Sequence, residues 1–231
     1  MKMQLSSQHP MICVPIVAKY KKDIIEQVKV LVKHNIRCIE WRMDYFDQVC
    51  FVEEVLEVLK EIRPYLKDTL LIATFRTKEE GGIRSIQTED YYDLLYAIDQ
   101  SKLVDYIDVE GYSKPAIYIR LRSHAKTKYI VSYHNFACIP NELTQILKNM
   151  QALHAEVIKV ACMPTKVEDK FLFKETIDSF IGCYDGLFIA ILMGVFGVET
   201  RIDPCRYHSC LTFASLKETS APGQISYEEL R

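Results

Sequence analysis

No stretch of this chain approaches the roughly 20 apolar residues that a helical membrane span needs. Residues 1–10 are polar and lack the apolar centre of a signal peptide, so a cytoplasmic protein is expected. An excess of one charge is also lacking: 29 Lys and Arg stand against 31 Asp and Glu. No global field would gather nucleic acid or an anionic membrane, so an anionic ligand must be held by a local cluster. The eight cysteines, Cys13, Cys38, Cys50, Cys138, Cys162, Cys183, Cys205 and Cys210, contain no Cys-x-x-Cys pair. They read as small buried hydrophobes of a reduced protein. Cys205, His208 and Cys210 match no standard zinc spacing, and no metal or cofactor is expected. Repeats, linkers and low-complexity segments are absent, and no Gly-x-Gly-x-x-Gly follows the first apolar run.

What the chain does have is a regular alternation. Its 231 residues, 49% hydrophobic and 26% charged, suffice for a sizeable core, and one domain over residues 1–231 is expected. Apolar runs predict strands at residues 11–18, 36–43, 69–75, 104–109, 129–133, 157–162, 186–193 and 209–214. Amphipathic spacing predicts helices at 23–33, with Ile24, Val28, Leu31 and Val32 on one face, and at 49–65, 88–98, 115–124, 141–153 and 166–180. Strands apolar along their whole length are covered on both faces, as in parallel sheets. Eight such units predict an α/β fold closed as a (β/α)8 TIM barrel, parallel strands inside and helices outside. An open doubly wound sheet is the rival, and the missing glycine fingerprint counts against it.

The strand ends carry polar residues that a packed core would exclude. The second ends Glu40-Trp41-Arg42-Met43-Asp44, where alternation puts Glu40, Arg42 and Asp44 on one side. The third ends Phe75-Arg76 and runs into Glu79-Glu80-Gly81-Gly82; the fourth ends Asp108-Val109-Glu110; the fifth ends Ser132-Tyr133-His134-Asn135. The seventh ends Met193-Gly194, with Arg201 beyond. In a barrel these ends share the face where chemistry sits. Singly each has a structural explanation, such as an ion pair for Glu40 and Arg42. Several successive strands behaving alike points to a ligand that organises the charges.

The sixth run, Val157-Ile158-Lys159-Val160-Ala161, is interrupted by a lone lysine. Burying an unpaired ammonium costs several kcal/mol, so a lysine held there tends to give up its proton and become an amine that condenses with ketones. Read alone, the same lysine also fits an edge strand with its head reaching water.

Five segments carry a resemblance: Glu40-Trp41-Arg42-Met43-Asp44, Phe75-Arg76-Thr77-x-x-Glu80-Gly81-Gly82, Ser132-Tyr133-His134-Asn135-Phe136, Lys159-Val160-Ala161-Cys162-Met163-Pro164 and Ser220-Ala221-Pro222-Gly223-Gln224. In this order, and spanning nearly the whole chain, they resemble the type I 3-dehydroquinate dehydratases. The resemblance implies a barrel enzyme, a cytoplasmic homodimer of the shikimate pathway. Such an enzyme converts the small molecule 3-dehydroquinate to 3-dehydroshikimate and water through a lysine Schiff base, without metal or cofactor. By position, Lys159 is then the imine-forming lysine, His134 the general acid/base and Glu80 the carboxylate that orients it. Arg201 pairs with the substrate carboxylate. Glu40, Arg42, Arg76, Ser220 and Gln224 line the ring hydroxyls and carboxylate, and Met193 and Phe213 supply apolar walls. Two departures stand out. Glu199-Thr200 precedes Arg201 where the family usually shows a small or hydroxyl residue, and the chain stops at Arg231 where many relatives carry a fuller last helix. Barrel closure is therefore expected to rely on a shortened helix or a neighbouring subunit.

The implied chemistry asks for these residue types. An iminium is an electron sink that acidifies the neighbouring C–H, and a histidine can take that proton and return one to the departing hydroxyl. Arginine suits a carboxylate because its fork meets both oxygens. Pro222-Gly223 predicts a loop that folds over the ring and excludes water. A Schiff-base aldolase would use the same lysine but asks for a phosphate cradle after strands seven and eight. A non-catalytic barrel would be expected to have lost Lys159, His134 or Glu80, and all three are present.

Overall fold

The computed structural model describes residues 4–216 and 221–231. Its strands are β1 (Met11–Ile16), β2 (Cys38–Arg42), β3 (Leu70–Thr74), β4 (Tyr106–Val109), β5 (Lys128–Asn135), β6 (Val157–Cys162), β7 (Leu187–Leu192) and β8 (Leu211–Ser215). They lie in the order β7-β6-β5-β4-β3-β2-β1-β8, and each adjacent pair is parallel. The two-residue β9 (Ile225–Ser226) pairs with β8 and had no sequence signal. The sheet curls until β7 meets the segment leading into β8 at one bridge between Phe188 and Ser209. There the Cys210 N–H donates to the Phe188 carbonyl at 2.8 Å. Ser209 Oγ accepts from the Ala190 N–H at 2.9 Å, so a side chain takes a ladder position and the barrel closes through it.

Helices cover the outside: α1 (Lys21–Lys33), α2 (Val52–Ile62), α3 (Thr88–Ser101), α4 (Pro115–Arg122), α5 (Leu143–Gln151) and α6 (Asp169–Ile181). On α1 the stripe Ile24, Val28 and Leu31 is buried, as the 3.6-residue period requires, while Val32 at its margin is half-buried. The last two helices are single turns, α7 (Glu199–Ile202) and α8 (Tyr227–Leu230). A capping box holds α8: Ser226 accepts from the Glu229 N–H while the Glu229 side chain accepts from the Ser226 N–H.

Period-two alternation divides the strand side chains between two cores. Ile39, Trp41, Leu71, Ala73, Ile107, Val131, Ile158 and Val160 point outward and pack beneath the helices. Cys13, Cys38, Leu70, Ile72, Tyr106, Ile130, Val157, Ile189 and Leu211 fill the lower interior, joined by Leu5 from the N-terminal segment. Farther along β2 to β6 the inner face turns polar, with Glu40, Thr74, Asp108, Ser132 and Lys159 all buried. Along β7 and β8 it stays apolar, through Ile191, Met193 and Phe213.

Three sequence expectations need correcting. Asp44 lies in a 3-10 turn, Met43–Tyr45, because β2 ends at Arg42, so strand alternation does not carry it inward. β5 runs on to Asn135, and His134 is therefore a strand residue in register with Ala161. Only half the cysteines are buried hydrophobes: Cys13, Cys38, Cys162 and Cys210 are, whereas Cys50, Cys138, Cys183 and Cys205 are exposed. With Cys205 at the surface and Cys210 inside the barrel, that trio does not converge. Among the described residues no three His, Cys, Asp or Glu side chains are grouped to hold a metal ion.

Candidate active site

A cavity opens at the C-terminal ends of the strands, lined by Glu40, Arg42, Arg76, Glu80, Gly81, His134, Phe136, Lys159, Ala161, Ile191, Met193, Arg201, Phe213, Ala221 and Gln224. Every site residue expected from the sequence is there except Ser220, which lies outside the described residues.

Lys159 is 5% exposed, carried inward by the alternation along β6. Its surroundings are not the apolar ones its neighbours in sequence suggest. Val157 and Ala161 share its face, but Nζ sits 3.0 Å from Asp108 Oδ2 and 3.6 Å from Glu40 Oε1, with the Phe213 ring centroid at 4.6 Å. The carboxylates come from β4 and β2, so only the closed barrel shows them. Glu40 Oε1 also accepts from Thr74 Oγ1 at 2.9 Å. Asp108 Oδ1 accepts from Arg76 Nη2 at 2.6 Å and from Ser132 Oγ at 2.7 Å. Burial alone would raise the Asp108 carboxyl, but the charges of Arg76 and Lys159 outweigh it and hold the group well below the usual carboxylate range.

The second cluster pairs His134 with Glu80. His134 Nδ1 lies 3.0 Å from Glu80 Oε2, and the His134 backbone N–H donates to that same oxygen at 3.2 Å. Glu80 Oε1 accepts from Ser113 Oγ at 2.5 Å. Glu80 ends a 3-10 turn, Lys78–Glu80, which Gly81 closes at a φ of +86°. A Cβ there would fall 2.1 Å from the Phe136 ring, so both conformation and space demand glycine. Burial lifts the Glu80 carboxyl to about 7, with Arg76 opposing and Glu110 adding to the rise. Burial also pushes the His134 imidazolium well below its ordinary value, and the charges of Arg76 and Lys159 push the same way. The imidazole is therefore neutral near pH 7. An Nδ1–H that donates to Glu80 Oε2 would leave Nε2 as the basic nitrogen.

The three arginines of the cavity have different company. Arg42 makes a two-point contact with Asp44, Nε to Oδ1 and Nη2 to Oδ2, both at 2.8 Å. Arg76 is held by Asp108, by Glu110 at 3.2 Å and by Glu80 at 3.5 Å. Burial would weaken both cations, and these carboxylates more than offset it. Arg201 is 2% exposed and meets no carboxylate among the described residues. Its Nη1 donates to the Phe213 carbonyl at 3.4 Å and its Nη2 to the Pro222 carbonyl at 3.3 Å, while Nε has no partner. Burial pushes its guanidinium down to about 10.

The departure before Arg201 proves to be an anchor. Thr200 Oγ1 accepts from the Leu192 N–H at 3.1 Å and donates to the Gly197 carbonyl at 2.8 Å. Glu199 turns away to pair with Lys170 and Arg206. The chain at Ala221–Gln224 lies over the cavity edge, the Gly194 N–H donating to the Pro222 carbonyl at 3.2 Å. Gly223, at φ +75°, packs against the Gly194 backbone with no room for a Cβ.

Sequence reasoning gave no role to Asp108, Glu110, Ser132, Thr74 or Ser113. Asp108 carried a usable signal, an acid at an inward position of an apolar strand, the same anomaly that marks Lys159. Ser113 lies in a loop whose return to Glu80 only the closed barrel reveals.

The arrangement thus holds a buried lysine, a neutral imidazole on a carboxylate and a buried cation that meets no carboxylate among the described residues around one cavity, a set suited to a carbonyl compound that carries an anionic group. The sequence model described as type I 3-dehydroquinase matches residues 12–231. A 3-dehydroquinate dehydratase of Clostridioides difficile (strain 630) is 39% identical over 227 residues, covering 96% of this chain and 89% of that protein. One of Clostridium novyi (strain NT) is 34% identical, covering 96% and 90%. Among solved structures, a type I 3-dehydroquinate dehydratase from Clostridium difficile with covalently modified comenic acid superposes with a TM-score of 0.90 at 38% identity, covering 96% of this chain and 90% of that one. The 3-dehydroquinate dehydratase of Geobacillus kaustophilus HTA426 gives 0.93 at 25% identity, covering 100% and 93%. With a family match over almost its full length and relatives this close, the chain belongs to the type I 3-dehydroquinase family.

Proposed function

We propose that this chain is a 3-dehydroquinate dehydratase, a hydro-lyase of the shikimate pathway, and that it acts through an imine on Lys159. The observation that carries the reading is Arg201: a buried guanidinium without an anion is costly unless a ligand brings one, and it lines the same cavity as Lys159. A carboxylate bound at Arg201 presents the rest of the ring to the amine, with Met193 and Phe213 as apolar walls. Gln224, on the segment at the cavity edge, and Glu40, Arg42 and Arg76 on the opposite wall meet the ring hydroxyls.

Lys159 gives up a proton to His134 and attacks the ketone carbon as the free amine; a nitrogen proton passes to the carbonyl oxygen, His134 returns its proton to the resulting carbinolamine hydroxyl, which leaves as water, and the nitrogen becomes an iminium. His134 takes the proton from the adjacent carbon, the electron pair moves to the nitrogen as an enamine, and the same imidazolium returns the proton to the leaving hydroxyl. Glu80 holds the imidazole tautomer and balances its transient charge. Water releases the product. The family assignment further supports a homodimer in the cytoplasm. The exposed Phe171, Leu172, Val195 and Ile202 are apolar surface that a second copy would cover.

An aldolase would ask for a phosphate cradle after β7 and β8. Among the described residues, the segments after β7 and β8 bring one cation to the cavity, Arg201, where a phosphate cradle asks for several donors, which disfavours it. The test is borohydride with 3-dehydroquinate, followed by peptide mapping. Mass must appear at Lys159, and borohydride alone must leave the enzyme active. An adduct on another lysine, such as Lys166 or Lys170, would overturn the assignment.

A further inference from the structure

One anion in the barrel has no part in the chemistry just described. Asp108 is fully buried at an inward position of β4, and both of its oxygens are committed. Oδ1 is pinned by Arg76 at 2.6 Å and Ser132 at 2.7 Å, and Oδ2 faces Lys159 Nζ at 3.0 Å. Glu40, the other carboxylate near that nitrogen, is farther away at 3.6 Å and shares its oxygen with Thr74. A carboxyl held this far below its usual range is a poor base at neutral pH, so proton transfer is not its task. What it supplies is a fixed negative charge at a fixed place, already oriented before substrate arrives.

Resting on the imine reading of Lys159, we propose that Asp108 is the counterion of the imine nitrogen, holding Nζ in place and stabilising the positive charge that it carries as an iminium. The charge balance explains why a permanent anion suits this position. A lysine ammonium and a ketone give an iminium and one water; one C–N bond forms, the C–O bond breaks, and the nitrogen carries one positive charge before and after. The Asp108 contact can therefore persist through condensation without reorganising. Loss of the carbon proton to His134 gives a neutral enamine. Departure of the hydroxyl, protonated by His134, restores a conjugated iminium, and the ion pair with it. Asp108 thus favours the two cationic intermediates, while Ser132 and Arg76 keep its oxygens from following the substrate.

The test is Asp108→Asn, an isosteric change that keeps an oxygen for Arg76 and Ser132 but removes the charge. Borohydride trapping of 3-dehydroquinate at Lys159 should slow at least tenfold, with turnover falling alongside. Binding of a ring analogue that keeps the carboxylate but lacks the ketone should stay within twofold of wild type, which a collapsed site would not allow. Trapping at the wild-type rate would overturn the proposal, as would loss of trapping accompanied by equal loss of analogue binding. If Asp108→Asn does not fold, Ser132→Ala leaves both charges and removes one hydrogen bond to Oδ1. Trapping slowed two- to tenfold with analogue binding retained supports the proposal, and unchanged trapping overturns it. Wild-type enzyme that gives no adduct at Lys159 would fail the imine reading itself, a result distinct from normal trapping in the variant.

Discussion

The two sides of the cavity are built on opposite electrostatic plans. From β2 to β6 the wall is crowded and balanced: Arg42 meets Asp44, Arg76 meets Asp108, Glu110 and Glu80, and Lys159 meets Asp108 and Glu40. On the side of β7 and β8 the wall is apolar, Ile191, Met193 and Phe213, with one cation among the described residues, Arg201, whose partners there are carbonyl oxygens. A balanced wall is complete without ligand and fixes the geometry of reacting groups. An unbalanced one is completed by an anion, so it selects what enters. Reaction on one side and recognition on the other follow from where the carboxylates are and are not.

The largest expected effect falls on the reacting side. Lys159→Met keeps the volume and loses the amine, so turnover followed by enone absorbance should vanish into background while the fold persists by circular dichroism. A variant with a tenth of normal activity would end the covalent reading. His134→Ala should cost 10² to 10⁴-fold in kcat, the usual range for acid/base catalysis, and still form adduct with borohydride. Undiminished turnover would show that another group moves the proton.

Arg76 and Arg201 sharpen the comparison through stability. Arg76→Met leaves Asp108 and Glu110 buried without their main cation, a change that typically costs about 3–5 kcal/mol. Arg201→Met removes a buried charge that meets no carboxylate among the described residues, so urea unfolding of the free enzyme should show unchanged or increased stability. Its deficit should appear in substrate affinity, about 1.5–3 kcal/mol for a charge-assisted contact. Equal destabilisation by the two substitutions would erase the distinction between the walls.

How much of this was legible in the sequence depended on how local the signal was. Strand and helix periods gave the barrel, since each depends on near neighbours, and the polar strand ends gave the cavity rim. Lys159 showed itself by interrupting an apolar run, but its ion pair with Asp108 did not, because the partners lie 51 residues apart and meet only across the barrel. Separation in sequence likewise hid the Ser113 contact to Glu80, 33 residues away, and the pairing of Arg76 with Asp108 and Glu110, 32 and 34 residues away. The ninth strand was invisible for another reason: two residues, Ile225 and Ser226, are too short to show a period.

The smallest effect concerns Glu80 and pH. Burial lifts its carboxyl from the ordinary value of 4.5 to about 7, so between those pH values the native protein holds a proton that the unfolded chain has released. Unfolding then sheds a proton, and raising the pH through this window lowers stability. Glu80→Gln cannot ionise. The stability of wild type relative to Glu80→Gln, from urea unfolding at pH 5, 6, 7 and 8, should therefore decline as pH rises toward 7 and level off above it. A difference that grew with pH would mean that Arg76, at 3.5 Å, outweighs burial and that Glu80 is an ordinary ion-paired carboxylate. The same titration should appear in catalysis. His134 takes its orientation from the carboxylate, so kcat should rise with pH through about 7 in the wild type, and that limb should be absent in the variant. Agreement between the stability and rate midpoints would tie the proton that burial places on Glu80 to the step that His134 performs.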